Sequence, residues 1–519
     1  MNSPTRSCLS SFIVVALLGF IILLFPSVGQ VFAQSEEDQR AWLRSLDSLS
    51  SERMVADVTT LSSPAFNGRQ TGTADDASSA KWIADRFLAS GLLLASIRLD
   101  PTIPMKPDHE GSATGLMTTT VTVPNVARGS SLRISTAADS FAHQLGTDYL
   151  PILDTPSAAV LGPIVFVGYG IVDSTQSIDD YAGVDTTNAI VLFLRGTPTH
   201  YKGTVSHADK VRFARQKGAL GYLTAIGPVL TPYEARRGVT GKPGAYYGLS
   251  PQSETLPGAW INTTLADQIL ADPDHIQPSR LHDLQEKLNL SAAVQSISTG
   301  RYGSLNWQTR PEEGLLMNVL AYLPGNDPQK TQEILVIGAH RDHFGRQAGL
   351  LFPGADDNAS GTAVILEVAR VMAQADAKVQ RTILFVSFSG EEQGLVGSRL
   401  YLQRPFAPIS STKAMINIDH AGIGNGRLTI GVTGLEKNIA LDAGQLAELA
   451  DKLDVYGFFP GGDHVPFKEA GIPTVTVVSG GVHPHFHQPT DTANTINSEI
   501  LHTVARYVLA LVWKLANAP

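Results

Sequence analysis

An α/β fold with a largely parallel central sheet is predicted for the C-terminal half of this chain, with a β-rich module inserted ahead of it. Three observations predict it. From about residue 300 onward, apolar runs of strand length alternate with helical patterns. Between 130 and 290 the texture is different, with short β-rich pieces separated by turns. Acids and imidazoles in the C-terminal half follow the apolar runs closely, as they do at the carboxyl edge of an open α/β sheet.

Taken in order, the chain opens with Arg6, an apolar run over 12–25, the breakers Pro26 and Gly29, and Val31-Phe32-Ala33. This is the three-part pattern of a secretory signal peptide over 1–33, with cleavage after Ala33. An uncleaved anchor is the alternative, although the run falls short of the ~20 residues that span a bilayer. Cys8, the only cysteine, precedes the apolar core, so no lipoprotein attachment is supported. A mature chain without cysteine has no disulfide and no thiolate metal cage, which suits export. The protein is therefore expected in a periplasmic or extracellular compartment, tethered only if the leader is kept. No later run reaches ~20 apolar residues, so no membrane span is expected after cleavage.

Residues 38–129 form the first part of the main domain. Trp42, Leu43, Leu46 and Leu49 recur at helical spacing, and so do Ala80, Ile83, Ala84 and Phe87. Asn67 to Thr73 is a turn-rich link between them, and Val121–Val123 ends a strand. Residues 130–290 are the inserted module, with strands at 164–167 and 189–194 and a helix over 210–218. Residues 291–519 complete the main domain: strands at 334–337, 383–388, 415–418 and 475–478, helices near 362–373 and 395–402, and a terminal helix from about Ser498.

Composition narrows the function. With 43% hydrophobic and 17% charged residues the chain is globular rather than disordered. Thirty-nine basic against 48 acidic residues give a net charge of −9, which argues against a nucleic-acid partner. Nothing in the sequence fixes an oligomeric state.

Chemistry concentrates late, since eight of the fourteen histidines follow residue 339. His340 and Asp342 follow one strand, Glu391 and Glu392 the next, and Asp419 ends a third. The cluster His483 to His487 follows a fourth. His340, Asp356, Glu392, Asp419 and His487 offer two imidazoles and three carboxylates, an N/O donor set suited to zinc or a similar divalent ion. Five ligands exceed the usual three for one catalytic zinc. A bridging carboxylate would make a two-metal site with ions ~3.5–4 Å apart. Asp356, in the glycine-bounded segment Gly354 to Gly361, is the expected bridge. Glu391 and Glu392 are adjacent, so their side chains diverge: one can bind metal while the other serves as general base. Asp342 is placed to hold the second nitrogen of His340. His343, His420, His464, His483 and His485 are read as ordinary polar residues, with Asp463 and His464 possible supports behind the ligands.

These segments resemble the motif series of the co-catalytic zinc aminopeptidases: Gly338 to His343, Gly354 to Gly361, Ser389 to Glu392, Asn417 to Asp419, and Phe486 to Thr492. That family includes secreted leucyl aminopeptidases and aminopeptidase Y, with glutamate carboxypeptidase and the transferrin receptor as relatives. The segment Asn67 to Thr73 and the stretch Asp463 to Pro473 are similar to further family segments. Gly162 to Gly170, Asp179 to Tyr181 and Lys210 to Ala219 resemble the inserted protease-associated domain of many members.

The resemblance implies a three-layer α/β/α zinc-exopeptidase domain binding two Zn²⁺ per chain. His340, Glu392, Asp419 and His487 would be terminal ligands, Asp356 the bridge, Glu391 the base, and Asp342 the residue orienting His340. The implied activity is a secreted metallo-exopeptidase, an aminopeptidase acting on peptides through a hydroxide generated at the metals. One departure concerns the oxyanion: some members carry a tyrosine shortly before the Asp-His pair, where this chain has Phe459 and Pro460. Carboxypeptidase or dipeptidase action is the nearest rival, and would need a cation such as Arg341 or Arg346 at the pocket. A receptor-like binding protein and a one-zinc glutaminyl cyclase are more distant ones, because every proposed ligand and the base are present.

Overall fold

Strands buried on both faces must be covered by helices on both sides. Ile334–His340 and Thr382–Phe388 are buried at every position. The computed structural model describes residues 40–95, 114–136, 139–231, 234–235, 239–251, 253–271, 280–291, 295–376 and 378–518. The expected leader over 1–33 lies outside the described residues.

Alternate residues of these strands enter two separate cores. Leu335, Ile337, Ile383 and Phe385 join the helices Ser51–Leu61, Ala74–Ala89, Gly361–Gln374, Asn438–Leu446 and Ser498–Ala516 on one face. On the other face Val336, Leu384, Val386 and Phe388 meet Leu400, Tyr401 and Phe467 from Val396–Gln403 and His464–Glu469. This is a three-layer α/β/α domain, as expected.

Its sheet runs Leu93–Leu94, Thr309–Leu323, Thr382–Phe388, Ile334–His340, Thr412–Asp419, Thr474–Ser479, Leu428–Thr433, Leu453–Tyr456, and Leu116–Val126 pairs with Thr309–Leu323. The four middle strands are parallel. Both flanks join antiparallel, so "largely parallel" holds for the centre only. The four middle strands are the ones read from their apolar runs. The flanking strands are partly solvated and more polar, so they lack the continuous apolar runs that mark the middle ones.

The second sheet is built from eight strands between Ser131 and Trp307. Ile297–Trp307 pairs with both Ala158–Phe166 and Ser131–Ser135, so the module extends past the expected boundary at 290. The reason is visible in ISTGRYGSLNW: an alternating, half-exposed strand lacks the apolar run that marks a buried one. The next strand, Thr309–Leu323, already belongs to the main sheet. Phe344, Ala348 and Phe352 return the contact, since they come from the main domain yet sit in the module's core cluster.

Candidate metal centre

Parallel strands aimed one way deliver their C-terminal residues to one edge. His340 and Asp419 are the last residues of neighbouring strands, Glu391 and Glu392 lie in the turn after a third, and His487 follows a fourth. Nε2 of His340 lies 3.4 Å from Asp419 Oδ1 and 3.4 Å from Asp357 Oδ1. Nε2 of His487 lies 3.1 Å from Asp357 Oδ2 and 3.4 Å from Glu392 Oε2. Two donor sets therefore meet at Asp357, with His340 and Asp419 on one side and Glu392 and His487 on the other. Glu391 Oε2 is 4.0 Å from His340 Nε2.

Asp356 is not at this centre. Its Oδ2 is 2.7 Å from His483 Nδ1, and its Oδ1 accepts from the Gly422 backbone N–H at 2.7 Å. Consecutive side chains in the irregular turn Ala355–Ser360 diverge: Asp357 faces the donors and Asp356 ties the turn to the neighbouring loops. The expectation that Asp356 bridges is thus corrected by one residue. Residue type could not separate two adjacent aspartates.

The remaining groups hold the donors in position. Both imidazoles commit Nδ1 to a backbone carbonyl, His340 to Asp342 at 3.2 Å and His487 to Ala245 at 2.8 Å, which leaves each Nε2 free to face the centre. Asp342 thus orients His340 through its carbonyl, since its carboxylate is 3.8 Å from the ring. The carboxylate instead accepts from Thr71 Oγ1 at 3.0 Å and from the Glu391 and Glu392 N–H groups at 3.3 and 3.4 Å. Asp491 accepts the N–H groups of Asp356 and Asp357. Arg69, fully buried, donates to the carbonyls of Leu61, Arg341, Pro353 and Gly354, fixing the entry to the same turn. Gly354 has φ +59°, and a Cβ there would lie 2.3 Å from the Asp357 carbonyl oxygen, so only glycine fits.

The electrostatics ask for a cation. Burial first, then repulsion from neighbouring carboxylates, drives the Glu391 and Glu392 carboxyls well above their usual range, although His340 pulls the other way. Burial also opposes ionisation of Asp357, but the surrounding imidazoles outweigh it and hold its carboxyl low. His340 is pulled down by burial and carried well up by Glu391 and Asp419. Asp419 Oδ1 is buried and has no hydrogen-bond partner among the described residues. Crowded acids, inward-facing imidazole nitrogens and an orphaned carboxylate oxygen fit a divalent-metal site.

Several histidines read as ordinary prove central. His343 Nδ1 lies 2.7 Å from Glu392 Oε1 and, held neutral by burial, braces that carboxylate. His420 reaches within 3.9 Å of Asp357 and 3.8 Å of Asp419, and His483 holds Asp356. The His485 ring meets Thr490 Oγ1 at 2.9 Å, away from the centre. His464 and Asp463 are buried beside the site, His464 bonding the Phe459 carbonyl. The spacing of His343 from His340 was the one available signal for the first of these; Arg69, Asp491 and Asp357 had none in residue type alone.

A cavity of about 700 Å³ opens over the centre, lined by Asp357, Glu391, Glu392, Asp419 and His487 from the main domain and by Arg195, Tyr246 and Trp260 from the module.

The fold and centre together make an α/β domain with a candidate metal site at the carboxyl edge of its sheet. Residues 318–512 match the model of Peptidase family M28. A probable leucine aminopeptidase of Arthroderma otae is 31% identical over 217 residues, 39% of this chain and 58% of that one. A second, from Arthroderma benhamiae, is 28% identical over 54% of this chain and 82% of its own. The chain thus spans little more than half of the first relative. Among solved structures, the aminopeptidase from Aneurinibacillus sp. strain AM-1 superposes with TM-score 0.62 at 22% identity, over 91% of this chain and 95% of that one. A peptidase M28 precursor from Shewanella amazonensis gives TM-score 0.65 at 19% identity, over 93% and 97%. The fold recurs across nearly the whole length, and the co-catalytic zinc aminopeptidase family read from the motifs is the one these likenesses support.

Proposed function

We propose that this chain is an exported zinc aminopeptidase that binds two ions and removes N-terminal residues from peptides. The observation that carries the reading is the pair of donor sets sharing Asp357 at the floor of a cavity. His340 and Asp419 would hold one ion, Glu392 and His487 the other, with Asp357 between them. When bound, the ions supply Lewis acidity to the scissile carbonyl and acidify water.

The chain's own residues do the rest. Glu391 lines the cavity without belonging to either donor set, so its carboxylate is placed to take the proton of the attacking water and return it to the leaving amine. The module, which resembles a protease-associated domain, roofs the cleft and narrows access to it. No helix among the described residues is long and apolar enough to cross a membrane, which accords with export after leader cleavage.

Arg341 and Arg346 do not line the cavity, whose arginine is Arg195, so a blocked N-terminus rather than the absence of a cation separates the aminopeptidase from a carboxypeptidase. Arg341 is fully buried and spent on Asp76 at 2.8 Å and on backbone carbonyls. Arg346 is exposed and donates to Asn67.

The test is turnover of leucine amide substrates with free and acetylated N-termini. Cleavage confined to the free amine is expected; cleavage of the blocked substrate alone would overturn the reading. Glu391→Gln should keep its metals and lose roughly 10²–10⁴-fold in kcat, the share carried by a general base.

A further inference from the structure

Arg195 follows the module strand Ile190–Leu194 and lines the cavity that holds the metal-centre donors. Its guanidinium carbon lies 4.3 Å from the Tyr246 ring centroid and 4.1 Å from that of Trp260, whose planes are nearly perpendicular. Aromatic faces fix the guanidinium by cation–π contact without using its N–H groups. Its Nη1 is buried and bonds to nothing among the described residues, and so is the indole Nε1 of Trp260, a side chain 7% exposed. No side-chain N–H of Arg195 is spent on an acceptor among the described residues, so the guanidinium of this cavity-lining arginine is available to an acceptor from outside. Glu234 also lines the cavity, but its Oε2 accepts from Thr231 N and Oγ1, and no ion pair joins it to Arg195.

We infer that Arg195, with Trp260 beside it, receives a carboxylate of the substrate, so that short peptides are gripped at their acidic far end while the near end lies at the metal centre. This rests on the aminopeptidase reading for the near end only. A planar fork of N–H donors matches a carboxylate in bidentate geometry. The volume, about 700 Å³, falls within the roughly 300–1,000 Å³ of sites for drug-sized ligands, which accommodates a di- or tripeptide.

The probe is Leu-Gly-Gly against its C-terminal amide. A charge-assisted hydrogen bond makes the acid the better substrate by roughly 10- to 100-fold in kcat/KM, through KM, and Arg195→Gln brings the ratio close to one. If that variant fails to fold, Arg195→Lys, which keeps the cation but loses the fork, should cut the ratio several-fold. Leu-Glu-Gly-amide against Leu-Gln-Gly-amide locates the source: an Arg195-dependent preference there supports the site and assigns it to an acidic side chain. Binding of the acid and amide pair to the Glu391→Gln protein, measured by calorimetry, gives the same ratio without turnover. Should the wild type cleave neither peptide, the aminopeptidase reading fails while the calorimetric ratio still decides on Arg195. Acid and amide binding equally to wild type, or a ratio untouched by Arg195→Gln, overturns the inference.

Discussion

The floor and the roof of the cleft are built on opposite principles. The floor is crowded with ionisable side chains from strand ends and nearby turns, and its imidazoles His340 and His487 are restrained by backbone carbonyls. The roof offers mainly backbone and aromatic groups: the Ala245 carbonyl holds His487, the Pro243 carbonyl holds Gln488, and Tyr247 packs at a tilt against Phe344 and accepts from Gln70. The lesson is that a metal site's donors can sit in one domain while part of their orientation is set by another.

The sharpest way to break that comparison is at the floor. Asp357→Asn should cost at least as much as loss of the base, roughly 10²–10⁴-fold in turnover, with metal content below that of wild type. Asp356→Asn, one residue away, should leave metal content near wild type by elemental analysis; equal losses in both would undo the assignment of the bridge.

Next comes the joint. Phe344, fully buried, packs against His487, His343 and Tyr247, so Phe344→Ala should lower stability by about 3–5 kcal/mol in denaturant unfolding. Ala245→Pro removes the N–H that donates to the His487 carbonyl at 2.9 Å and disturbs the returning bond. Its metal affinity should fall roughly 10- to 100-fold, as expected for a group supporting a ligand. An unchanged affinity would mean that the roof plays no part in holding the ligand.

Within the roof, Lys210 is fully enclosed and donates to the Leu194 and Gly196 carbonyls. Burial lowers it to about 7, against the pull of Asp180 and with a push from Arg195. Because the folded state binds fewer protons than the unfolded one between about pH 7 and 10.5, stability should rise with pH across that window, by at most ~1.4 kcal/mol per pH unit. Asp180, raised to about 6 by burial, is ionised throughout the window and does not cancel the slope. Lys210→Met should flatten it in melting curves taken from pH 7 to 9. At the small end, the exposed pair Lys81–Asp85 should change stability by only about 0.3–0.5 kcal/mol when Lys81→Ala breaks it.

How far the sequence carried varies with the same contrast. The middle strands were legible because burial on both faces writes continuous apolar runs, and the donors were legible because imidazoles and acids after such runs are rare by chance. Thr309–Leu323 and Ile297–Trp307 were not, since strands solvated on one face mix polar with apolar residues. Asp357 hid beside Asp356 because side-chain direction in an irregular turn depends on the backbone path. Ala245 and Pro243 were invisible for a different reason: they act through carbonyl oxygens, which every residue possesses. Arg195 looked like any arginine after a strand until Tyr246 and Trp260, some 50 and 65 residues on, were seen against it.

The reciprocal pair between Ala245 and His487 also bears on traffic. Swinging the module away as a rigid gate would break both hydrogen bonds at once and release the imidazole from its bearing. Opening by that route would release a candidate ligand from its support each time, which favours passage through the cavity mouth over a swinging module.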